Sequence, residues 1–260
     1  MQKHIASVSF GKDSLCMLFL LLVKGYPLDE VVFYDTGMEF QAIYNTRDAI
    51  LPLLAEKGIK YTELKPKYDF CWKMFDKLVK NRDGSGFHCG YSWCGGTCRW
   101  GTADKLAALD EYSESQNAIV YIGIAADETM RIQKEREPYK RLPLVEWHMT
   151  EKECLELCYK RGFTWLEGDY RLYDLLDRVS CWCCANKNLK ELRNIYWYLP
   201  AYFNRLKELQ GRTDRPMKGA GKSVFDLERR FEFEMRRIEQ GKSITNREFH
   251  RELAKIILGG

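Results

Sequence analysis

No apolar run in this sequence is long enough to cross a bilayer. Leu15 to Val23 comes nearest and falls well short of the ~20 residues a spanning helix needs. The N-terminus lacks the basic, then apolar, then small pattern of a signal peptide. The expectation is therefore a cytoplasmic protein with no membrane partner. Internal repeats are absent. Histidine is scarce, at four residues, and only His88, beside Cys89, has a neighbour that suggests ligation. No cysteine follows Cys184.

Against these absences stand a 45% hydrophobic content, enough for a sizeable core, and ten cysteines. A reducing compartment disfavours structural disulfides, so clustered cysteines there point to metal or sulfur chemistry. Cys16 in an apolar helix, and Cys154 and Cys158 one helical turn apart, read as small buried hydrophobes. The other cysteines gather in "WCGGTCRW", with Cys94 and Cys98, and in "SCWCC", with Cys181 and Cys184. Those four thiolates are candidate ligands for a 4Fe-4S cluster or Zn²⁺. Flanking tryptophans, which would shield a cluster from water, favour the cluster, and free thiols are the alternative.

Net charge is +4, unevenly spread. Residues 187–260 carry 17 Lys and Arg against 10 Asp and Glu, a surplus of +7 that leaves −3 on the rest. A basic tail suggests a polyanionic partner such as tRNA or DNA, with a solvated helical face as the alternative.

Apolar strand patterns at His4–Phe10, Asp29–Gly37 and 59–65 alternate with helical patterns at Lys12–Lys24 and 41–58. That β-α-β-α-β order predicts a parallel sheet covered by helices. A Gly- and Cys-rich loop spans Asp83–Gly101, and a further buried strand begins at Ala118. Helices are expected over Leu189–Gln210 and from Lys222 onward. The organisation read from this pattern is an α/β domain over 1–186 and a basic helical region over 187–260.

In an open parallel sheet, ligands sit beyond the carboxyl ends of the strands. "SFGKDS" follows the first strand: Gly11 would let the backbone turn and present its N–H groups, Lys12 adds charge, and Ser9 and Ser14 add hydroxyls. Asp13 fits an anion site only if it helps hold Mg²⁺ or caps the helix. An ordinary capped helix start is the competing reading. "PMKGAGKS" (Pro216–Ser223) nearly spells a nucleotide loop, but Pro216 replaces the first glycine and no strand precedes it. It reads as a mobile basic linker.

Taken together, "SFGKDSLCML", "FYDTGMEFQAIYNTRD", "IGIAADETMR", "RLPLVEW" and "LYDLLDRVSCWCC", in that order, resemble the phosphoadenosine phosphosulfate (PAPS) reductase-like proteins of the PP-loop, adenine nucleotide alpha-hydrolase superfamily. The resemblance implies an HUP-type α/β fold, a parallel sheet flanked by helices with a helical C-terminal extension. It implies ATP, PAPS or APS as ligand, with Mg²⁺. Ser9, Gly11, Lys12, Asp13 and Ser14 would form the phosphate loop, and Asp35, Thr36 and Gly37 would close over the nucleotide. Glu128 and Arg131 would come from a later strand, with Arg131 on phosphate or sulfate unless it is a surface residue of a basic run. Lys12, Asp13 and Arg131 are the candidate catalytic residues. The C-terminal thiol element of the reductases is missing here. The resemblance therefore favours an ATP-dependent adenylating, pyrophosphate-releasing sulfur transferase with a nucleic-acid acceptor or a sulfur-donor protein as partner. A sulfonucleotide reductase, or a nucleotide-binding subunit of a DNA-modification or defence system, are the alternatives.

Overall fold

The structure, a computed structural model, describes residues 2–93 and 97–258. Strand β1 (Lys3–Ser7) leads into helix α1 (Lys12–Val23), β2 (Glu30–Tyr34) into α2 (Gln41–Glu56), and β3 (Lys60–Leu64) follows. After a ribbon of β4 (Leu78–Lys80) and β5 (Phe87–Cys89) come α3 (Lys105–Ser115) and β6 (Ala118–Ile122). The short α4 (Thr129–Ile132), β7 (Lys140–Arg141) and α5 (Pro143–Glu146) precede α6 (Glu151–Lys160). A second ribbon, β8 (Leu166–Glu167) and β9 (Tyr170–Arg171), runs into α7 (Leu172–Leu175). Then come α8 (Leu189–Tyr198), α9 (Pro200–Gln210), α10 (Val224–Glu239) and α11 (Arg247–Leu258).

These elements cluster into two compact units. One holds residues 1–67, 99–173 and 179–181; the other holds 68–98, 174–178 and 182–260. The first contains a five-stranded sheet in the order β3-β2-β1-β6-β7, with every neighbouring pair parallel. This is the expected HUP-type α/β arrangement. The chain steps from β1 out to β2 and β3, then crosses back to β6 on the other side of β1. That reversal creates a crevice at the carboxyl ends of β1 and β6, where such sheets bind ligands. Ser7 lies in register with Val32 on one side and Ile122 on the other, so the turns after β1, β2 and β6 leave one edge together.

Burial explains the elements. Strand β2 is buried along its whole length, as a central parallel strand must be, and Ile5, Val32 and Ala118 pack across the sheet. Helix α1 is apolar on nearly every side because protein surrounds it: Leu15 to Phe19 and Leu21 are all buried. Helix α6 packs against it with Cys154 and Cys158 fully buried, the small-hydrophobe role expected of them and of Cys16.

In the second unit the aromatic residues of "IYWYLPAYF" (195–203) pack between helices. Tyr196 meets Phe203 edge-on at 4.9 Å, and Phe203 meets Phe231 at 6.2 Å. The helix expected over Leu189–Gln210 is two helices, because Pro200 has no N–H to continue α8 and instead opens α9. The helical stretch expected from Lys222 is likewise divided after Gln240, where Gly241 takes φ +68°.

Candidate functional site

Helix α1 starts without a side-chain cap. Gly11 is its N-cap residue and brings no side chain to the first-turn amides, so the ordinary capped start does not apply. The amides of Asp13 and Ser14 have no acceptor among the described residues. Ser14 braces the turn instead: its hydroxyl donates to the Gly11 carbonyl (3.1 Å) and accepts from the Ser9 N–H (3.1 Å). Gly123, after β6, keeps the approach open, since a Cβ there would stand 2.9 Å from the Ser14 nitrogen.

The sharp bend itself falls one residue earlier than expected. Gly11 is extended (φ −80°, ψ 169°), and Phe10 takes the left-handed conformation at φ +57°. Two contacts hold this unfavourable backbone. The fully buried Phe10 ring packs edge-on against Phe33 at 5.2 Å, and the Phe10 carbonyl accepts the Trp165 indole N–H at 2.8 Å. Gly11 leaves room for a neighbour: a Cβ would approach the Tyr173 hydroxyl to 3.2 Å. That hydroxyl accepts the Lys12 N–H at 2.8 Å.

Lys12 is buried and its ammonium lies in a nest of carboxylates. Nζ donates to both Asp13 oxygens at 2.9 Å and to Glu151 Oε1 at 2.6 Å. Asp127 accepts the Glu151 N–H at 2.9 Å, and Glu128 binds Arg131 at 2.6 Å. Burial pushes the Asp13 carboxyl up to about 6; Lys12 opposes the shift, while the negative charges of Glu151 and Glu128 add to it. Lys12 is raised as well, because Asp13 and Glu151 outweigh the burial that would lower it. Two cations thus face four carboxylates, and the protein's own groups leave a negative surplus beside an amide cradle. Arg131 is half exposed on α4.

The turn after β2 is internally bonded. Asp35 Oδ1 accepts the Gly37 N–H (2.8 Å) and the Tyr44 hydroxyl (2.7 Å). Gly37 sits at φ +71°. The Thr36 carbonyl accepts the Trp100 indole N–H at 3.0 Å, and its hydroxyl donates to Glu39 Oε1 at 2.9 Å. Cys181 lies against this turn, with its sulfur 3.5 Å from the Thr36 hydroxyl and 3.8 Å from Glu39 Oε1.

The expected thiolate set is divided among parts of the chain that are described separately. Cys94 lies outside the described residues, Cys181 belongs to the first unit, and Cys98 and Cys184 belong to the second. No group of three or more His, Cys, Asp or Glu side chains among the described residues is placed to hold a metal ion. Behind the loop, Cys158 donates its thiol to the Lys12 carbonyl at 3.4 Å. The thiol pKa values of Cys154 and Cys158 are pushed well above the ordinary range: hydrogen bonding to Cys16 leads for Cys154, and burial for Cys158. Both stay protonated and act as packing.

"PMKGAGKS" is a brace, not a mobile linker. Lys218 donates to the carbonyls of Ala185 and Lys187 at 2.7 and 2.9 Å, tying down the turn after the second cysteine pair. Ser223 then caps α10 reciprocally with Asp226, so the helix start that would face a phosphate is already satisfied.

Sequence reasoning missed four residues of the site: Glu151, Trp165, Tyr173 and Gly123. The first three lie at least 139 residues from their partners at Phe10 and Lys12. Only the glycine had a local signal, as the G of "IGIAADE" directly after a strand.

Comparison with known proteins agrees with this geometry. A family model for the phosphoadenosine phosphosulfate reductase domain matches residues 3–153, from the first strand into α6. Over 220 residues the chain is 26% identical to uncharacterized protein MJ0066 of Methanocaldococcus jannaschii, covering 77% of this chain and 40% of that protein. The chain thus spans about two fifths of the length of the curated relative it matches. With more than half its residues inside the family model and the strand-end turns in place, the chain belongs to the phosphoadenosine phosphosulfate reductase domain family.

Proposed function

We propose that this protein binds ATP with Mg²⁺ at the start of α1 and activates an acceptor by adenylyl transfer. The observation that carries this reading is the uncapped α1 N-terminus, whose Asp13 and Ser14 amides point positive partial charge out of the strand end. An acceptor oxygen attacks the α-phosphorus, the bond to the β-phosphate oxygen breaks, and pyrophosphate leaves. The amides and Lys12 hold the departing pyrophosphate, and Arg131 adds charge to the phosphoryl oxygens. A sulfur nucleophile then displaces AMP, forming the carbon–sulfur bond as the carbon–oxygen bond breaks.

The carboxylates favour a metal-bound polyphosphate over a bare sulfonucleotide. Four acidic side chains against Lys12 and Arg131 would repel a polyanion alone. Mg²⁺ entering with the nucleotide, held mainly by phosphate oxygens and water with Asp13 beside it, would supply the compensating charge. Lys12 would exchange a carboxylate for phosphate as the nucleotide enters. No step is assigned to a metal at the cysteines. The acceptor we propose is a nucleic acid, tRNA or DNA.

The test is pyrophosphate release from ATP in the presence of candidate acceptors. Lys12→Ala should lower the rate by about a hundredfold or more, the usual cost of removing one charge-stabilising donor. An unchanged rate would overturn the assignment. The position of Cys181 against Thr36 and Glu39 favours a second reading, a sulfonucleotide reductase with Cys181 in place of the missing C-terminal thiol. Thioredoxin-dependent sulfite release from PAPS that disappears in Cys181→Ser would establish it in place of the first.

A further inference from the structure

The phosphate loop is held from both sides by one distant segment. Trp165 donates its indole N–H to the Phe10 carbonyl, and Tyr173 accepts the Lys12 N–H, while the intervening residues form the β8–β9 ribbon. Trp165 takes the left-handed conformation (φ +48°) and meets the Tyr173 ring edge-on at 4.9 Å. The ribbon also reaches the start of α2, where Glu167 accepts the Ala42 N–H at 3.0 Å. The Tyr173 hydroxyl is therefore positioned by its neighbours on each side.

A phenol oxygen that accepts one N–H still has its own proton to donate. Among the described residues no acceptor takes that proton. Burial, with the negative charge of Asp13 nearby, pushes the phenol well above its usual range, so the proton stays on. The oxygen lies 2.8 Å from the Lys12 nitrogen and 3.2 Å from where a Gly11 Cβ would stand, inside the turn whose next amides are open.

We propose that Tyr173 is a ligand of the bound polyphosphate: its O–H, oriented by the Lys12 N–H, donates to a phosphate oxygen in the α1 cradle. The loop then binds anion through two free amides, one ammonium and one phenol. The Lys12 amide acts at second hand, by polarising that phenol. This inference rests on the ATP reading above. The opposite arrangement is a placeholder, in which Tyr173 blocks the Lys12 amide in the free protein and must withdraw. The two predict opposite signs when the hydroxyl is removed.

The experiment is titration calorimetry of the full chain with Mg²⁺·ATP, inorganic pyrophosphate and adenosine, comparing wild type with Tyr173→Phe. Phe keeps the ring against Trp165, and an unchanged melting temperature would verify the fold. If the melting temperature drops, Trp165→Phe serves as the second variant. It removes a hydrogen bond from the same strap and leaves the phenol, so it measures the structural contribution alone. A ligand role predicts about tenfold or greater weakening for ATP and pyrophosphate in Tyr173→Phe, the size of a lost hydrogen bond to a charged group, with adenosine unchanged. It also predicts a smaller loss in Trp165→Phe. Equal or tighter pyrophosphate binding by Tyr173→Phe would overturn the inference and leave the ATP reading standing. Failure of the wild type to bind ATP or pyrophosphate would overturn both.

Discussion

At the scale of single residues, the phosphate loop combines opposed requirements. Asp13 accepts two hydrogen bonds from the Lys12 ammonium and still titrates high, because burial and two neighbouring carboxylates outweigh Lys12. A carboxyl whose folded pKa lies above its unfolded value binds more protons when folded. Its contribution to stability is therefore present at low pH and is lost as pH rises from about 4 to about 6. The melting temperature of ligand-free Asp13→Asn relative to wild type should accordingly increase as pH rises through that window. A flat difference between pH 4 and pH 7 would show that the ion pair, not burial, sets the carboxyl. Here too lie the limits of reading residues from sequence. The string "SFGKDS" reveals the loop and its donors but not which residue bends. Glycine is the residue chemistry expects at a left-handed position, yet Phe10 holds it. The reason is tertiary: Phe33 fixes its ring and Trp165 its carbonyl, and neither contact is visible locally.

Among the elements, two helix starts that look alike in sequence differ in what their amides meet. Helix α1 opens uncapped beyond a buried strand, whereas α10 opens behind Ser223 and Asp226 with no strand before it. Ser223→Ala should cost about 1 kcal/mol of stability, as lost caps do, with nucleotide affinity unchanged. A loss of nucleotide binding would instead give "PMKGAGKS" a role in the site. Gly123 makes the complementary case. A methyl there would press to 2.7 Å on the Ser14 Cα, and α1 and β6 would have to separate. Gly123→Ala should destabilise by about 1–3 kcal/mol, the usual range for overpacking, and weaken nucleotide binding together with stability. Unaltered binding would mean that the cradle does not depend on this close approach. The parallel sheet and the three strand-end turns were legible because period and turn chemistry are local signals. The helix breaks after Tyr198 and Gln240 were underread, although Pro200 and Gly241 mark both.

For the molecule as a whole, charge constrains any nucleic-acid acceptor. Of the 17 basic residues in 187–260, seven are in ion pairs among the described residues: Lys190, Arg193, Lys207, Arg212, Arg229, Arg230 and Arg237. Lys187 and Lys218 bind carbonyls, and Arg205 lies over the Trp182 ring at 4.1 Å. Seven remain to meet phosphates, fewer than the raw surplus in sequence suggests once the structure assigns partners. With about 0.9 counterions released per contact, log affinity for duplex DNA should fall with log salt at a slope no steeper than about −6. A steeper slope would require a basic surface beyond this region. The central claim, however, is local, and a crystal structure with a non-hydrolysable ATP analogue and Mg²⁺ tests it most directly. We expect the phosphates within hydrogen-bond reach of the Asp13 and Ser14 amides, with Lys12 turned from Glu151 toward them. A nucleotide bound elsewhere, with Lys12 still clasped by Asp13 and Glu151, would contradict it.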